Sequence, residues 1–163
     1  MLYLFGSKLN ELEAGELFLG YFDLMNKAKK IYARWMEPIC KQRGLTQNEL
    51  DVLLFLYNNP SLNRAADIVA CRGIAKSHVS LSVANLERRK LLLRCFEPTD
   101  RRTAHLKLTE QGNAIAQEGH DIQLRFFSQV NKGVTEAEFD VWRKVTQKVC
   151  ENVKNLDETL INP

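Results

Sequence analysis

GIAKSHVSLSVANLERRK, residues 73–90, runs directly into LLLRCFEPTDRRTAHLKL, residues 91–108, and the fold is decided by how these two segments read. Wound as an α-helix, the stretch from Lys76 to about Arg89 brings Val79, Val83 and Leu86 within about 60° of one another, a face for burial. The opposite face holds Ser77, Leu81, Ala84, Asn85 and Arg88, with His78 and Ser80 on its flanks. A helix that merely faces solvent carries Glu and Lys at such positions. Here there are short hydroxyls, an amide and a leucine. That profile suits a major groove: small side chains allow close approach, Asn85 can pair with adenine N6 and N7, and Leu81 can meet a thymine methyl. Lys76 and Ser77 fall in the first turn, where open amides and the positive end of the helix dipole favour a phosphate.

The second segment reads as a two-stranded ribbon. Leu91 to Phe96 forms one strand and Thr103 to Leu108 the other, with Ala104, Leu106 and Leu108 alternating against His105 and Lys107. Glu97 to Arg102 between them is a polar turn with a basic tip. Upstream, a short helix from about Asn63 to Cys71 presents Ala66, Ile68 and Val69, and Gly73 makes the turn into the next helix. TQNE at 46–49 is a capping box that opens a helix carrying Leu50, Leu53, Leu54 and Tyr57, and NNP at 58–60 stops it. Short helix, glycine turn, amphipathic helix and basic hairpin together make a winged helix-turn-helix.

Long helices flank this unit. From about Glu13 to Arg43, apolar residues recur in steps of three and four through Tyr32, Trp35 and Met36, with Pro38 a point of kinking and Gly44 the end. Thr109 caps a helix reaching about Asn131, Lys132-Gly133 breaks it, and TEAE at 135–138 caps the last. That helix carries Phe139, Trp142, Val145, Val149, Val153 and Leu156, a seam that wants a partner. The expected fold is mainly α with a small β-hairpin wing (α+β): N-terminal dimerisation helix 1–44, winged helix-turn-helix 45–108, and C-terminal dimerisation helices 109–163.

Charge supports a phosphate-binding surface. Residues 72–107 hold nine Lys or Arg and three acids, a surplus of +6, while the rest of the chain sums to −3. No apolar run is long enough to span a bilayer, and Met1 to Phe5 lacks the basic flank of a signal peptide, so the expected location is cytoplasmic, with no membrane partner. Cys40, Cys71, Cys95 and Cys150 form no CxxC pair and no zinc spacing with His78, His105 or His120. No nucleophile–base set, phosphate loop or metal motif is present, so neither catalysis, cofactor nor metal is expected.

On these residues the chain resembles the MarR family. The pieces that carry the likeness are Leu45-Thr46 opening a helix that ends near Asn59-Pro60, GIAKSHVS at 73–80, LERR at 86–89, and above all DRR at 100–102 followed by LTEQG at 108–112. The resemblance implies a transcriptional repressor that binds a palindromic double-stranded DNA operator as a homodimer. It implies that Lys76, Ser77, His78, Ser80, Leu81, Asn85 and Arg88 face the major groove. Arg102 would enter the minor groove at the wing tip, oriented by Asp100, with Arg101 on phosphate. A small aromatic effector would bind where the flanking helices meet the reading unit, with Tyr32, Trp35, Met36 and Arg43 as candidate pocket residues. The chain departs from the family at Ala75, where a serine cap is usual, at Lys90, where glycine is usual, and at Arg72, an apolar position expected here to snorkel. Two alternatives stand beside this reading. One is a thiol-based redox sensor using Cys40, its pKa lowered by Lys41 and Arg43. The other is a protein-interaction module that does not bind DNA.

Overall fold

Thr46 begins the element on which the rest of the fold is built. In the computed structural model its hydroxyl accepts from the Glu49 amide at 3.2 Å, and its own amide donates to the Glu49 carboxylate at 2.8 Å. The capping box read from the sequence is therefore formed. The structure describes the backbone of residues 3–4, 7–8, 11–97 and 100–161, and the side chains of residues 16, 19–96, 103–153, 155 and 156. In chain order the elements are β1 (Tyr3–Leu4), β2 (Ser7–Lys8), α1 (Glu11–Arg43), α2 (Gln47–Asn58), α3 (Ala65–Arg72), α4 (Lys76–Arg88), β3 (Leu92–Glu97), β4 (Asp100–Leu108), α5 (Glu110–Val130) and α6 (Glu136–Ile161). The mainly helical, α+β class with a hairpin wing is as expected. α1 runs unbroken through Pro38. The short strands β1 and β2 pair antiparallel where the sequence suggested only an apolar start.

The chain divides into two compact units, Met1–Phe126 and Phe127–Pro163. In the first, the core gathers Met36 and Ile39 of α1, Ile68 of α3, Val79, Val83 and Leu86 of α4, Leu92 and Leu106 of the hairpin, and Ile115 and Ala116 of α5. These side chains surround α2, which buries Val52, Phe55 and Leu56 as well as Leu50, Leu53 and Leu54. Only a helix enclosed on most of its circumference can be apolar on nearly every side. Each such Leu contributes about 1.5–3 kcal/mol by leaving water. The predicted stripe of α4 is the buried one, joined by Ser82. α3 starts at Ala65, two residues later than expected, and Ala65 rather than Ala66 packs on the core.

Two helix ends share one motif and differ in one residue. At the end of α1 the Leu45 amide reaches back to the Cys40 carbonyl at 2.8 Å, with Gly44 left-handed at φ 59°. At the end of α4 the Leu91 amide reaches the Leu86 carbonyl and the Lys90 amide the Glu87 carbonyl, each at 2.9 Å. Here the left-handed residue is Lys90, at φ 58°. Both are Schellman ends, whose left-handed position favours glycine. The strain expected at Lys90 is thus present. Lys90→Gly should raise unfolding stability by about 1 kcal/mol, read as a higher urea midpoint at unchanged m-value.

The hairpin corrects the sequence reading at its tip. β4 begins at Asp100, so Asp100, Arg101 and Arg102 belong to a strand and not to a turn. Phe96 pairs with Ala104 but Glu97 with Asp100, which leaves Arg101, Arg102 and Thr103 between two consecutive pairs. A bulge of this kind bends and twists its strand. The proline and the run of charges read as turn because propensity carries no information about pairing register.

The second unit contains the Thr135 cap, whose hydroxyl accepts from the Glu138 amide at 3.3 Å. Phe139 stacks with Phe127 and Trp142, at ring separations of 5.7 and 5.4 Å. Within this unit Trp142, Val145, Val149, Val153 and Leu156 remain exposed.

Candidate nucleic-acid interface and adjoining cleft

α4 is held by its buried stripe and shows the opposite face to solvent. Lys76, Ser77, His78, Ser80, Leu81, Ala84 and Arg88 are all exposed, Leu81 at 61%. An exposed leucine flanked by serines has no packing role in this unit. Asn85 is half-buried, and its side-chain oxygen accepts from the Arg88 guanidinium at 3.0 Å, which sets the orientation of the amide. The sequence-predicted residues of this helix therefore share one surface. Ala75 occupies the cap position and supplies no side-chain bond. The side chains of Asp100, Arg101 and Arg102 lie outside the described residues.

Part of the basic surplus is used inside the fold. Arg72 is exposed, as expected, and its guanidinium also pairs with Asp51 at 3.2 Å. Arg94 pairs with Glu87 at 3.4 Å. Arg89 donates to the carbonyls of Arg43 and Gly44 at 2.7 and 2.8 Å, tying the end of α4 to the end of α1. Lys76, Arg88, Lys90 and Lys107 are exposed, as are Arg72, Arg89 and Arg94.

The four candidate effector residues do not form one pocket. Met36 is fully buried in the core. Arg43 is engaged with Glu118 of α5 through two hydrogen bonds. Trp35 and Tyr32 both rest edge-on against Phe126, at 5.6 and 5.4 Å. Of the four, Tyr32 alone lines a concavity of about 770 Å³ bounded by α1, α2, the α3–α4 turn and Phe126. Its polar lining includes Lys29, Asp51, Cys71, Arg72 and His78. Sequence reading missed Lys29, Asp51, Arg72 and Phe126 as cleft residues. They come from separate elements, and the only signal was the unusual arginine at position 72. The Tyr32 hydroxyl accepts from Gln123 at 2.7 Å, and Gln123 accepts in turn from Asn58 at 2.8 Å. Burial pushes the Tyr32 phenol above its ordinary range. Burial also raises the Asp51 carboxyl, against the pull of Arg72 and Gln47.

Cys40 is not in the environment that the redox reading requires. The thiol is buried, with Gln47 as its weak acceptor at 3.9 Å. Burial raises its pKa, as do the charges of Asp51, Glu49 and Glu37. The nearby cations are turned to other partners: Lys41 to Glu37 at 2.6 Å, and Arg43 to Glu118. A raised pKa keeps the thiol neutral and poorly nucleophilic. Iodoacetamide at pH 7.5 should therefore label the exposed Cys71 and Cys95 well before Cys40, by mass spectrometry of the native protein. The protection should vanish in urea. Equal labelling rates in native protein would contradict this picture.

Among the described residues no group of three or more His, Cys, Asp or Glu could hold a metal ion, and no helix is long and apolar enough to cross a membrane.

Residues 43–103 match the model of the MarR family. Over 141 residues the chain is 24% identical to the HTH-type transcriptional regulator MhqR of Bacillus subtilis, covering 85% of this chain and 95% of that protein. The fold is similar to that of a putative MarR-family regulator from Listeria monocytogenes solved with a 26mer DNA, at TM-score 0.72 and 20% identity over 83% of this chain and 89% of that one. It is also similar to BpsR of Bordetella bronchiseptica, whose DNA binding is regulated by 6-hydroxynicotinic acid, at TM-score 0.62 and 22% identity over 80% of this chain and 98% of that one.

Proposed function

We infer that this chain, which shares the sequence pattern and winged-helix fold of the MarR family, is a sequence-specific DNA-binding transcriptional regulator and not an enzyme. The observation that carries the reading is the exposed face of α4: serines, Leu81, His78 and the Arg88-oriented Asn85 on one surface, over a stripe that fixes the helix to the core. Such a face can approach base edges, and the cations at its ends can meet phosphate. Arg102 reaches the minor groove from the wing in this reading, with Asp100 orienting it and Arg101 on phosphate.

The regulator acts in the cytoplasm as a homodimer on a palindromic operator. Two copies set their α4 helices about one DNA turn apart, roughly 34 Å. The exposed apolar residues of α6 and the long α1 supply material for the dimer contact. Bound operator blocks transcription, so the regulator is a repressor, and a small aromatic ligand in the cleft beside α4 relieves it. The precedents for DNA and for an aromatic acid are the Listeria complex and BpsR.

The test is fluorescence anisotropy on the DNA upstream of the protein's own coding sequence, against an unrelated duplex, at two salt concentrations. Tight, salt-sensitive and selective binding is expected, by a species that light scattering finds to be a dimer. Absence of binding at low salt would overturn the DNA reading, and a monomer would overturn the mechanism.

A further inference from the structure

Asn85 and Arg88 stand one turn apart on the outer face of α4 and are joined to each other. Nη2 of Arg88 donates to Oδ1 of Asn85 at 3.0 Å. The adjacent acid does not draw the guanidinium away, because Glu87 is taken by Arg94 at 3.4 Å. Ala84 beside the pair is exposed and too short to cover it. The end of the helix that carries the pair is fixed, since Arg89 ties it to the carbonyls of Arg43 and Gly44. An asparagine that reads adenine needs both ends of its amide. The nitrogen donates to N7, and the oxygen accepts from the N6 amino group. Here the oxygen is held by a cation. An amino group approaching it meets the guanidinium beside it, donor against donor.

We propose that Asn85 and Arg88 act as one reading unit that offers only donors, and that the base it selects in the major groove is guanine and not adenine. This rests on the reading of α4 as the DNA-contacting helix and adds to it the base that two of its residues choose. With Oδ1 occupied, what the pair has left to offer is N–H: the two on Nδ2 of Asn85, and those of the five on the guanidinium that Asn85 does not use. Such a unit needs acceptors. Adenine presents one acceptor beside a donor, thymine one acceptor beside a methyl, and cytosine a donor. Guanine alone presents two acceptors side by side, N7 and O6, and the fork of an arginine fits them. Held by Asn85, the guanidinium gives up less side-chain freedom when it docks. Each residue needs the other. Without Asn85 the guanidinium is a mobile charge that any phosphate can capture. Without Arg88 the amide oxygen is open, and adenine becomes acceptable.

The experiment is selection of duplexes from a randomised library by the full chain and its variants, followed by fluorescence anisotropy on the duplex that the native chain selects. The native chain should enrich a guanine at a position where Asn85→Ala and Arg88→Ala both lose the preference. Replacing that G·C pair by A·T should weaken native binding about tenfold. Replacing the guanine by 7-deazaguanine, which lacks N7, should also weaken it. Inosine, which keeps N7 and O6 and lacks only the minor-groove amino group, should bind as guanine does. In Arg88→Ala, adenine should bind at least as well as guanine at that position. Three outcomes overturn the proposal and leave the DNA reading standing. In the first, Arg88→Ala weakens every duplex equally and keeps the base preference, which makes Arg88 a phosphate contact. In the second, Asn85→Ala relaxes an adenine that Arg88→Ala leaves unchanged, which makes Asn85 an independent reader. In the third, neither variant alters the preference at any position. If the native chain enriches no sequence at all, the DNA reading fails and the proposal fails with it.

Discussion

Gly112→Ala is expected to remove about 3 kcal/mol or more of unfolding stability, a large share of the 5–15 kcal/mol that a domain of this kind has. Gly112 is the third residue of α5. A Cβ built there would sit 1.9 Å from the Leu91 carbonyl oxygen and 3.0 Å from its carbon. These are backbone atoms, so no rotamer change relieves the overlap. The two chains meet this closely because Thr109 fastens them. Its hydroxyl donates to the Lys90 carbonyl at 2.8 Å and accepts from the Gly112 amide at 3.1 Å, while its amide donates to the Leu91 carbonyl at 3.1 Å. An alanine must push the start of α5 away from the end of α4 and break those bonds, or strain the left-handed turn at Lys90. Urea unfolding followed by circular dichroism measures the loss. A destabilisation under 1 kcal/mol would mean that the close approach is not a feature of the native protein.

The second large effect is on binding. Arg102→Ala should weaken operator affinity by about 1–3 kcal/mol and lower the slope of log K against log salt by about one counterion. A cation lost from a narrow minor groove removes both a phosphate-field interaction and a groove contact. Asn85→Ala should behave differently: a smaller change in salt slope, with operator and unrelated duplex becoming more nearly equal. The contrast separates a charge that positions from an amide that reads. If both variants bind as tightly and selectively as the native chain, the proposed interface is misplaced.

Most of the local chemistry was legible. The capping boxes at Thr46 and Thr135, the left-handed stop at Gly73, the buried stripe Val79, Val83 and Leu86, and the hairpin after Lys90 depend on residues within about one helical turn or one strand pair of each other. Propensity, periodicity and capping operate on that scale. The outward face of α4 was legible for the same reason: once a helix has one buried stripe, its other face is determined by the period.

What the linear order could not supply were the partners brought together by folding. Asp51 and Arg72 are 21 residues apart, Arg89 and Gly44 are 45, and Arg43 and Glu118 are 75. Whether an arginine meets DNA, a carboxylate or a helix end depends on which of these is nearest in space, and Arg72, Arg89 and Arg43 each found an internal partner. The lowered pKa that the redox alternative needs at Cys40 is opposed for the same reason. Lys41 and Arg43 are its neighbours in sequence, but the charges that face its thiol belong to Asp51, Glu49 and Glu37. The sequence by itself determined the elements from α1 onward, their order and the exposed face of α4, because each follows from short-range geometry. The tertiary structure alone decided the register of the hairpin, the cleft and the raised pKa of Asp51 within it. Those depend on burial and on contacts between segments that only the closed core places side by side.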